Sequence, residues 1–490
     1  MDARILARFT CVGVIALVSA AAFGQPKDPV KEAKDERLAT SDRVRAVERA
    51  WQSDKTREAR REDLKSILWI QRSAVVVRVR CLELLMDDPG DTDHADTRSM
   101  LRLMVPTEGD FAVLEAMCRI IERERWPEFA GPLVRSYSRF VVSRPDDERP
   151  ERRALAALAG ARPVEELVYE VFSTPATGTG QQRDREDKAR SAAWELLGRL
   201  DKSGAKRKAL IEQAAAAPSD DPMLQNVRFA ATELRAIPLT ASQLTWVGQI
   251  RESAAKSPEW MTEIRAALAA CATEHLADLR LRHLEPIRWA SLHQPDWLRA
   301  DRPALLSQLH ARLKGRTIYQ RTQGDTTSEA VSERLSTYES RLTWADLLSM
   351  LVIDVAVRTP GLAETLWDHV ERDLKDRTTE LGGLISADGG GFKAVLYPPR
   401  GTARTGDRRF VASDDMLAAG ALALAHYHFH AQSVDNADYA GPGPGDMEYA
   451  DDQGRLCLVF TPVRRGVLNV DYYQAGGVRI DLGTITAATK

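Results

Sequence analysis

The sequence lacks the short motifs that mark many enzyme classes. It has no His-Glu-x-x-His zinc motif, no Gly-x-Ser-x-Gly nucleophile turn, no Walker loop and no Gly-x-Gly-x-x-Gly before a helical pattern. It also lacks a dominant basic stretch, since 68 basic and 71 acidic residues leave a net charge of −3. We therefore expect no nucleic acid among its partners.

Cysteine is scarce in this chain. The five cysteines are widely spaced and form no Cys-x-x-Cys pair, so a cysteine zinc site is not expected. Cys11 lies in an apolar N-terminal run, and the others are Cys81, Cys118, Cys271 and Cys457. An exported chain can form disulfides, but the apolar helical patterns around Cys81 and Cys118 favour buried free thiols.

Only one hydrophobic run indicates targeting. Arg4 and Arg8 flank the start of an apolar run over residues 11–23, and Ala22-Phe23-Gly24 offers a small-x-small cleavage site. This pattern predicts a secretory signal peptide over residues 1–24, with an uncleaved anchor as the alternative. After cleavage we expect no integral membrane span and a periplasmic, cell-envelope or extracellular location.

The next 300 residues have a helical pattern. Residues 25–37 are polar and predict a linker, and apolar residues then recur every three or four positions from 38 to 345. The segment 73–86 is typical, because it ends at the stop signal Asp87-Asp88-Pro89-Gly90. Similar helices are predicted at 110–121, 126–140, 152–158, 164–172, 188–200, 222–237, 241–254 and 259–272, with polar loops at 178–187 and 316–334.

This series of short helices resembles HEAT-type repeats in its rhythm. No constant period can be fixed from the sequence, so an irregular helical bundle remains the alternative. The resemblance implies an α-solenoid over residues 38–345 with a concave surface for a protein or peptide.

The pattern changes to an α/β (α+β) unit over residues 346–490. Helices are predicted at 344–357 and 362–375, and another begins at Ser413-Asp414-Asp415 and runs to 425. Strands are predicted at 381–386, 392–397, 425–430, 456–461, 467–474 and 477–482, with a turn at 388–391 and a loop at 398–409. The predicted fold class is therefore multidomain, with an all-α helical repeat followed by an α/β domain.

Three of the nine histidines lie within five residues. On a strand, His426, His428 and His430 all point to one face, with Tyr427 and Phe429 on the other. The first and third are about 13 Å apart along a strand, so only an adjacent pair can bind one ion. Imidazole is the commonest ligand of zinc-type metals. A polar sheet face, or a metal site without catalysis, is the alternative interpretation.

Three segments in order resemble the JAMM (MPN-domain) metalloprotease family. They are Glu380-Leu-Gly-Gly-Leu-Ile385, Ala425-His-Tyr-His-Phe-His430 and Gly443-Pro-Gly-Asp446, and the resemblance covers residues 361–490. It implies an MPN-like domain that hydrolyses peptide or isopeptide amides with zinc as its cofactor.

The resemblance also implies roles for individual residues. His428, His430 and Asp446 would bind the zinc ion, and Glu380 would be the general base. In the family an aromatic residue commonly lies two positions before the first ligand, and His426 occupies that position here, so we favour the pair His428 and His430 over His426 and His428. A hydrolytic zinc keeps one position open for a water, whose pKa it lowers towards about 7, and a nearby carboxylate takes that proton.

Two departures from the family pattern keep alternatives open. The gap of 15 residues between His430 and Asp446 is longer than in the family, so Asp435 and Asp438 compete for the place of third ligand. Gly443 occupies the position of the family's oxyanion-stabilising serine.

The missing serine leaves the oxyanion donor and the activity itself open. Ser433, Asn436 or a backbone amide are the candidate substitutes. If none of them serves, the chain would be a non-catalytic envelope scaffold with a degenerate MPN-like domain that binds protein partners.

Overall fold

The computed structural model describes residues 28–91, 93–139, 144–201, 203–216, 220–322 and 332–488. The predicted signal peptide and much of the predicted loop 316–334 lie outside these residues. The chain forms two compact units. The first contains the chain up to Ser136 together with Asp146–Ala157, and the second contains Tyr137–Pro145 and the chain from Leu158 onward.

The first eight helices follow one another at short intervals. The segment predicted as a linker contains the first of them, because Pro29 starts the helix and the Asp28 side chain accepts from the Val30 amide. The helices are α1 Pro29–Lys34, α2 Thr40–Trp51, α3 Arg57–Leu68, α4 Val75–Met86, α5 Ala95–Met104, α6 Phe111–Glu124, α7 Ala130–Ser138 and α8 Pro150–Ala159.

A buried arginine connects successive helix pairs of the first unit. On α2, Arg43 donates to a carbonyl ten residues earlier and to the Ser73 hydroxyl thirty residues later. On α4, Arg78 donates to a carbonyl ten residues earlier and pairs with the Glu108 carboxylate thirty residues later. The two arginines therefore make contacts at the same spacing, although the later partner is a hydroxyl for Arg43 and a carboxylate for Arg78.

Helices continue through much of the second unit. They are α9 Val164–Ser173, α10 Gln181–Leu200, α11 Ala205–Ala216, α12 Pro222–Phe229, α13 Ala241–Lys256, α14 Pro258–Ala270, α15 Thr273–Leu276, α16 Leu284–His293, α17 Pro295–Arg299, α18 Arg302–Leu313, α19 Leu335–Tyr338, α20 Trp344–Val357 and α21 Leu362–Asp373. A π-helical turn, Ala230–Leu234, continues α12. Across the described ranges, no helix is both long and apolar enough to cross a membrane.

The predicted polar loop 178–187 is wrong from Gln181 onward, where α10 begins. Its first turns are exposed and polar, so they lack the apolar periodicity that indicates a helix. Side chains stabilise them instead: Gln182 donates to Glu186, and the Glu186 carboxylate accepts from the amides of residues 177 and 178.

A six-stranded mixed sheet forms the C-terminal part and confirms the predicted order of a helical part followed by an α/β part. Its strands are β1 Gly382–Asp388, β2 Gly391–Leu396, β3 Ala425–Phe429, β4 Cys457–Arg464, β5 Val467–Gln474 and β6 Val478–Thr486. The spatial order is β2-β1-β3-β4-β5-β6, and every pair is antiparallel except β3 and β4. Helix α22 (Asp414–Ala419) precedes β3, ending earlier than predicted, and α23 (Pro444–Gln453) lies between β3 and β4.

The two faces of the sheet have different roles. One face buries Tyr427, Phe429 and Phe460 in the same core as the apolar helix α20, and the Tyr427 hydroxyl is 2.9 Å from Nδ1 of His369 on α21. On the other face, Val459 and Tyr473 cluster with residues of α23. The strict alternation of β3 therefore directs its histidines to the α23 face.

The four cysteines from Cys81 onward are buried free thiols. This confirms the prediction for Cys81 and Cys118. Burial raises the pKa of Cys81 and of Cys457 to about 12, so neither thiol ionises near neutral pH.

We expect Arg78→Ala to destabilise the chain by about 3–5 kcal/mol, because it leaves the Glu108 carboxylate buried without its counterion. Arg80→Ala on the same helix is the matched control. Arg80 pairs with Glu48 and Glu83 near the surface, so its loss should cost about 0.5 kcal/mol or less. Denaturant unfolding of both variants measures the difference in the free energy of unfolding. Equal losses would contradict the conclusion that Arg78 stabilises the chain through its buried contact with Glu108.

Candidate metal centre

The end of β3 brings two imidazoles together. The Nε2 atoms of His428 and His430 are 3.3 Å apart, and their rings are inclined at 71°. Both side chains are almost completely buried, with 2% and 6% of the residue exposed. His428 lies in β3, which sets the direction of its ring, whereas His430 directly follows the last residue of β3 and is positioned by the chain as it leaves the strand.

Neighbouring groups orient both rings from behind. Nδ1 of His430 is 3.0 Å from the carbonyl oxygen of Tyr439. A carbonyl only accepts, so Nδ1 carries a proton, and Nε2 is the nitrogen that is directed towards Asp446 and could bind a metal. Nδ1 of His428 faces the Tyr473 hydroxyl at 3.4 Å, and the Phe410 ring stacks on the His428 ring with centroids 5.7 Å apart.

Two carboxylates approach the histidine pair. Asp446 is the third residue of α23, and its two oxygens lie 3.2 Å from Nε2 of His428 and 3.4 Å from Nε2 of His430. The Gly443 amide donates to Asp446 at 2.7 Å and holds the carboxylate in place. Glu380 joins the two histidines in a buried group whose potential ligand atoms all lie within 4.8 Å of one another.

A chain of amide side chains holds Glu380. Nε2 of Gln432 donates to Oε1 of Glu380 at 3.1 Å and to the Asp407 carbonyl at 2.7 Å. Asn436 in turn donates to Oε1 of Gln432 at 2.8 Å and to the His430 carbonyl at 2.7 Å. No sequence pattern indicates Gln432, because its position two residues after His430 belongs to no motif.

The neighbouring charges and burial shift the pKa values of the three titratable groups in different directions. Burial alone would lower the pKa of His430, but the hydrogen bond to Asp446 and the charges of Asp446 and Glu380 raise it above its ordinary value. Burial alone would raise the pKa of Asp446, but the two imidazoles hold it well below its ordinary value. Burial dominates at Glu380 and raises its pKa.

His426 lies apart from these carboxylates. Its Nδ1 is 2.8 Å from the Tyr449 hydroxyl, and its Nε2 is buried without a hydrogen-bond partner among the described residues. Burial, with a smaller effect of Arg455, lowers its pKa well below the ordinary value. His426 is thus a neutral imidazole, and the pair that the structure brings together with carboxylates is His428 and His430.

The other candidate residues of the long gap have different contacts. The exposed Ser433 hydroxyl donates to the Asp435 carbonyl at 2.7 Å, and the Asp438 carboxylate accepts from the Thr322 hydroxyl at 2.5 Å. The metal-ligand group in the described part of the chain is Glu380, His428 and His430, so it contains none of these aspartates and not Asp446 either. Asp446 is the aspartate whose two oxygens lie within 3.4 Å of the two Nε2 atoms. The amide of Asn436 is used by Gln432 and the His430 carbonyl.

An arginine lies beside Gly443. A Cβ placed on Gly443 would lie 3.1 Å from Nη1 of Arg321 and 3.6 Å from an oxygen of Asp446. The same Nη1 donates to the Gly441 carbonyl at 3.3 Å. A cation therefore borders the position where a side chain of residue 443 would begin, which the sequence did not indicate.

No protein-family model, curated protein or solved structure matches this chain. A function must therefore be inferred from the arrangement of the side chains. Two imidazoles and two carboxylates in a buried space are a donor set that zinc takes in proteins, so the residues present fit such an ion.

A further carboxyl group lies close to Glu380. Asp373 at the end of α21 is 1% exposed, and its Oδ1 accepts from the Leu381 amide at 2.8 Å. Its Oδ2 is buried with no hydrogen-bond partner in the described ranges. Burial, with the charges of Glu380, Asp407 and Asp376, raises the pKa of Asp373 to about 8.

We expect Asp373→Asn to stabilise the protein at pH 8.5 by roughly 1–3 kcal/mol. In the parent protein the folded state binds the Asp373 proton more tightly than the unfolded state does. The stability that this proton contributes to the parent is complete below the unfolded pKa of 3.8 and is lost as the pH rises towards about 8. The advantage of the variant should therefore shrink steadily as the pH falls to 4.5.

Denaturant unfolding at both pH values measures this effect. Asp376→Asn is the control, because the Asp376 carboxylate pairs with Arg404 and has a lowered pKa, so this change should bring no gain. A stability difference for Asp373→Asn that does not change with pH would contradict the assigned protonation.

Proposed function

We propose that this chain is an exported, zinc-dependent hydrolase of peptide or isopeptide amides, with an MPN-like domain of the JAMM type. The observation that carries the proposal is the convergence of two Nε2 atoms on Asp446, with Glu380 beside them. A merely polar sheet face does not require both rings to be oriented so that their Nε2 atoms meet at one carboxylate.

In this proposal His428, His430 and Asp446 hold the ion. Asp446 presents one oxygen towards each Nε2 atom, and the Gly443 amide orients the carboxylate. A bound zinc supplies Lewis acidity, which lowers the pKa of water and polarises an amide carbonyl.

Glu380 is the proposed general base. Its Oε1 is occupied by the Gln432 amide, so Oε2 is the oxygen free to take a proton from the attacking water. The same oxygen then delivers that proton to the leaving nitrogen. Gln432 keeps the carboxylate in one orientation, so the proton is moved between fixed positions.

Arg321 is the proposed donor to the oxyanion. Its Nη1 borders the position where a side chain at residue 443 would begin, on the side of the site that contains Asp446. The Ser433 hydroxyl donates to the Asp435 carbonyl, and the Asn436 side-chain amide donates to Gln432 and to the His430 carbonyl. Arg321 also has a partner, the Gly441 carbonyl, but a guanidinium carries several N–H donors. A guanidinium provides both a hydrogen-bond donor and a charge for the developing negative oxygen.

The helical part is proposed to be a HEAT-type α-solenoid that binds the protein or peptide substrate. The first helices of successive pairs begin at residues 40, 75, 111 and 150, and the arginine contacts of α2 recur on α4. Arrays of equivalent helix pairs present extended surfaces that suit peptide and protein ligands.

We expect the purified chain to bind about one zinc ion and His430→Gln to lose it, because a three-ligand site seldom retains metal with two. His426→Gln is the matched control: it makes the same change on the same face of the same strand, where no carboxylate approaches. Metal analysis after dialysis measures the zinc content. A parent chain without zinc after supplementation at neutral pH would overturn the hydrolase.

Glu380→Gln should lower the rate of hydrolysis by about a hundredfold or more, while the zinc content stays at the parent level. The amide preserves the size of the side chain and can still bond with Gln432, so only the ability to accept a proton is lost. Peptide and isopeptide libraries with mass-spectrometric detection provide the assay. A parent chain that binds partners but cleaves no library member would favour the scaffold.

A further inference from the structure

A basic loop borders the candidate metal centre. Residues 398–413 connect β2 to α22 and contain four arginines and one acidic residue, Asp407. The loop is attached to the site at two points, one on the side of the general base and one on the side of a histidine.

The two attachment points are three residues apart. The Asp407 carbonyl accepts from Nε2 of Gln432, which also donates to Glu380. The Phe410 ring stacks on His428 with an interplanar angle of 8°. Gly382 permits this stacking, because a Cβ there would lie 2.6 Å from the Phe410 ring. Residues 408 and 409 therefore span the edge of the site between Glu380 and His428.

The arginines of the basic loop differ in their partners. Arg404 pairs with Asp376, and Arg400 lies 3.9 Å from Asp415. Arg408 and Arg409 are both exposed, and neither guanidinium has a hydrogen-bond or ion-pair partner in the described ranges. Two uncompensated cations thus occupy the span that joins the two attachment points.

We propose that Arg408 and Arg409 select an acidic substrate, a peptide segment with carboxylate side chains next to the amide that is cleaved. The inference rests on the proposed hydrolase function and adds the substrate class. Guanidinium groups bind carboxylates with two parallel hydrogen bonds, and unpaired surface cations attract anionic ligands over several ångströms. The paired arginines hold the loop, and the unpaired ones are available to the ligand.

The test measures binding with the full-length, zinc-supplemented Glu380→Gln protein, which cannot consume the ligand. The probes are a fluorescein-labelled peptide rich in Asp and Glu and its Asn and Gln analogue, compared by fluorescence anisotropy. We expect the acidic peptide to bind at least about tenfold more tightly, and Arg408→Ala/Arg409→Ala to remove that preference without changing the zinc content.

The matched control is Arg464→Ala/Arg465→Ala, which removes another exposed arginine pair, at the end of β4 and the start of the turn to β5. This control should retain the preference for the acidic peptide. Equal affinity for the two peptides, or an equal loss in the control, would overturn the inference. Zinc content is measured separately, so a chain without zinc that keeps an Arg408-dependent preference would refute the hydrolase and leave the acidic-peptide site.

Discussion

The alternation of β3 is the constraint on which the candidate site depends. Tyr427 and Phe429 are buried in the core with α20, and this fixes which way His428 and His430 point. A shift of β3 by one residue would exchange the two faces, placing aromatic rings beside Asp446 and imidazoles in the core. The packing of the core and the direction of the histidines are therefore specified by the same strand.

The ionisation of Asp446 distinguishes it from other buried acids near this sheet. Burial and repulsion from Asp481 raise the pKa of Glu333 to about 8, and burial raises that of Asp481 to about 6. Glu333 avoids the cost of a buried charge at neutral pH by keeping its proton, and Asp481 keeps its proton to a higher pH than an exposed aspartate does. Asp446 stays ionised because two imidazoles face it, which is the state that binding a cation requires.

The sequence predicted the parts of the site that depend on local pattern. The alternation of β3 assigned the histidines to one face, and the strand after Glu380 pairs with β3 through Gly382↔His428, which brings Glu380 to the site. The gap after His430 could not be interpreted, because its course depends on distant contacts. The backbone amide of Asn436 donates to the Pro462 carbonyl, and this contact turns the segment between His430 and Asp446 back before α23 begins.

The site residues that could not be predicted from the sequence share one property, which is that each reaches the site through a tertiary contact. Gln432 reaches Glu380 only because the chain turns back after β3, and Phe410 reaches His428 only because Gly382 leaves space for its ring. No spacing rule connects positions 382, 410 and 428, so these contacts are invisible in a single sequence. The basic loop accepts from Gln432, which holds Glu380, and stacks on His428 through Phe410. In the proposed hydrolase, a ligand that engages this loop would therefore lie next to the proposed reacting groups, and recognition and chemistry would depend on the same tertiary contacts.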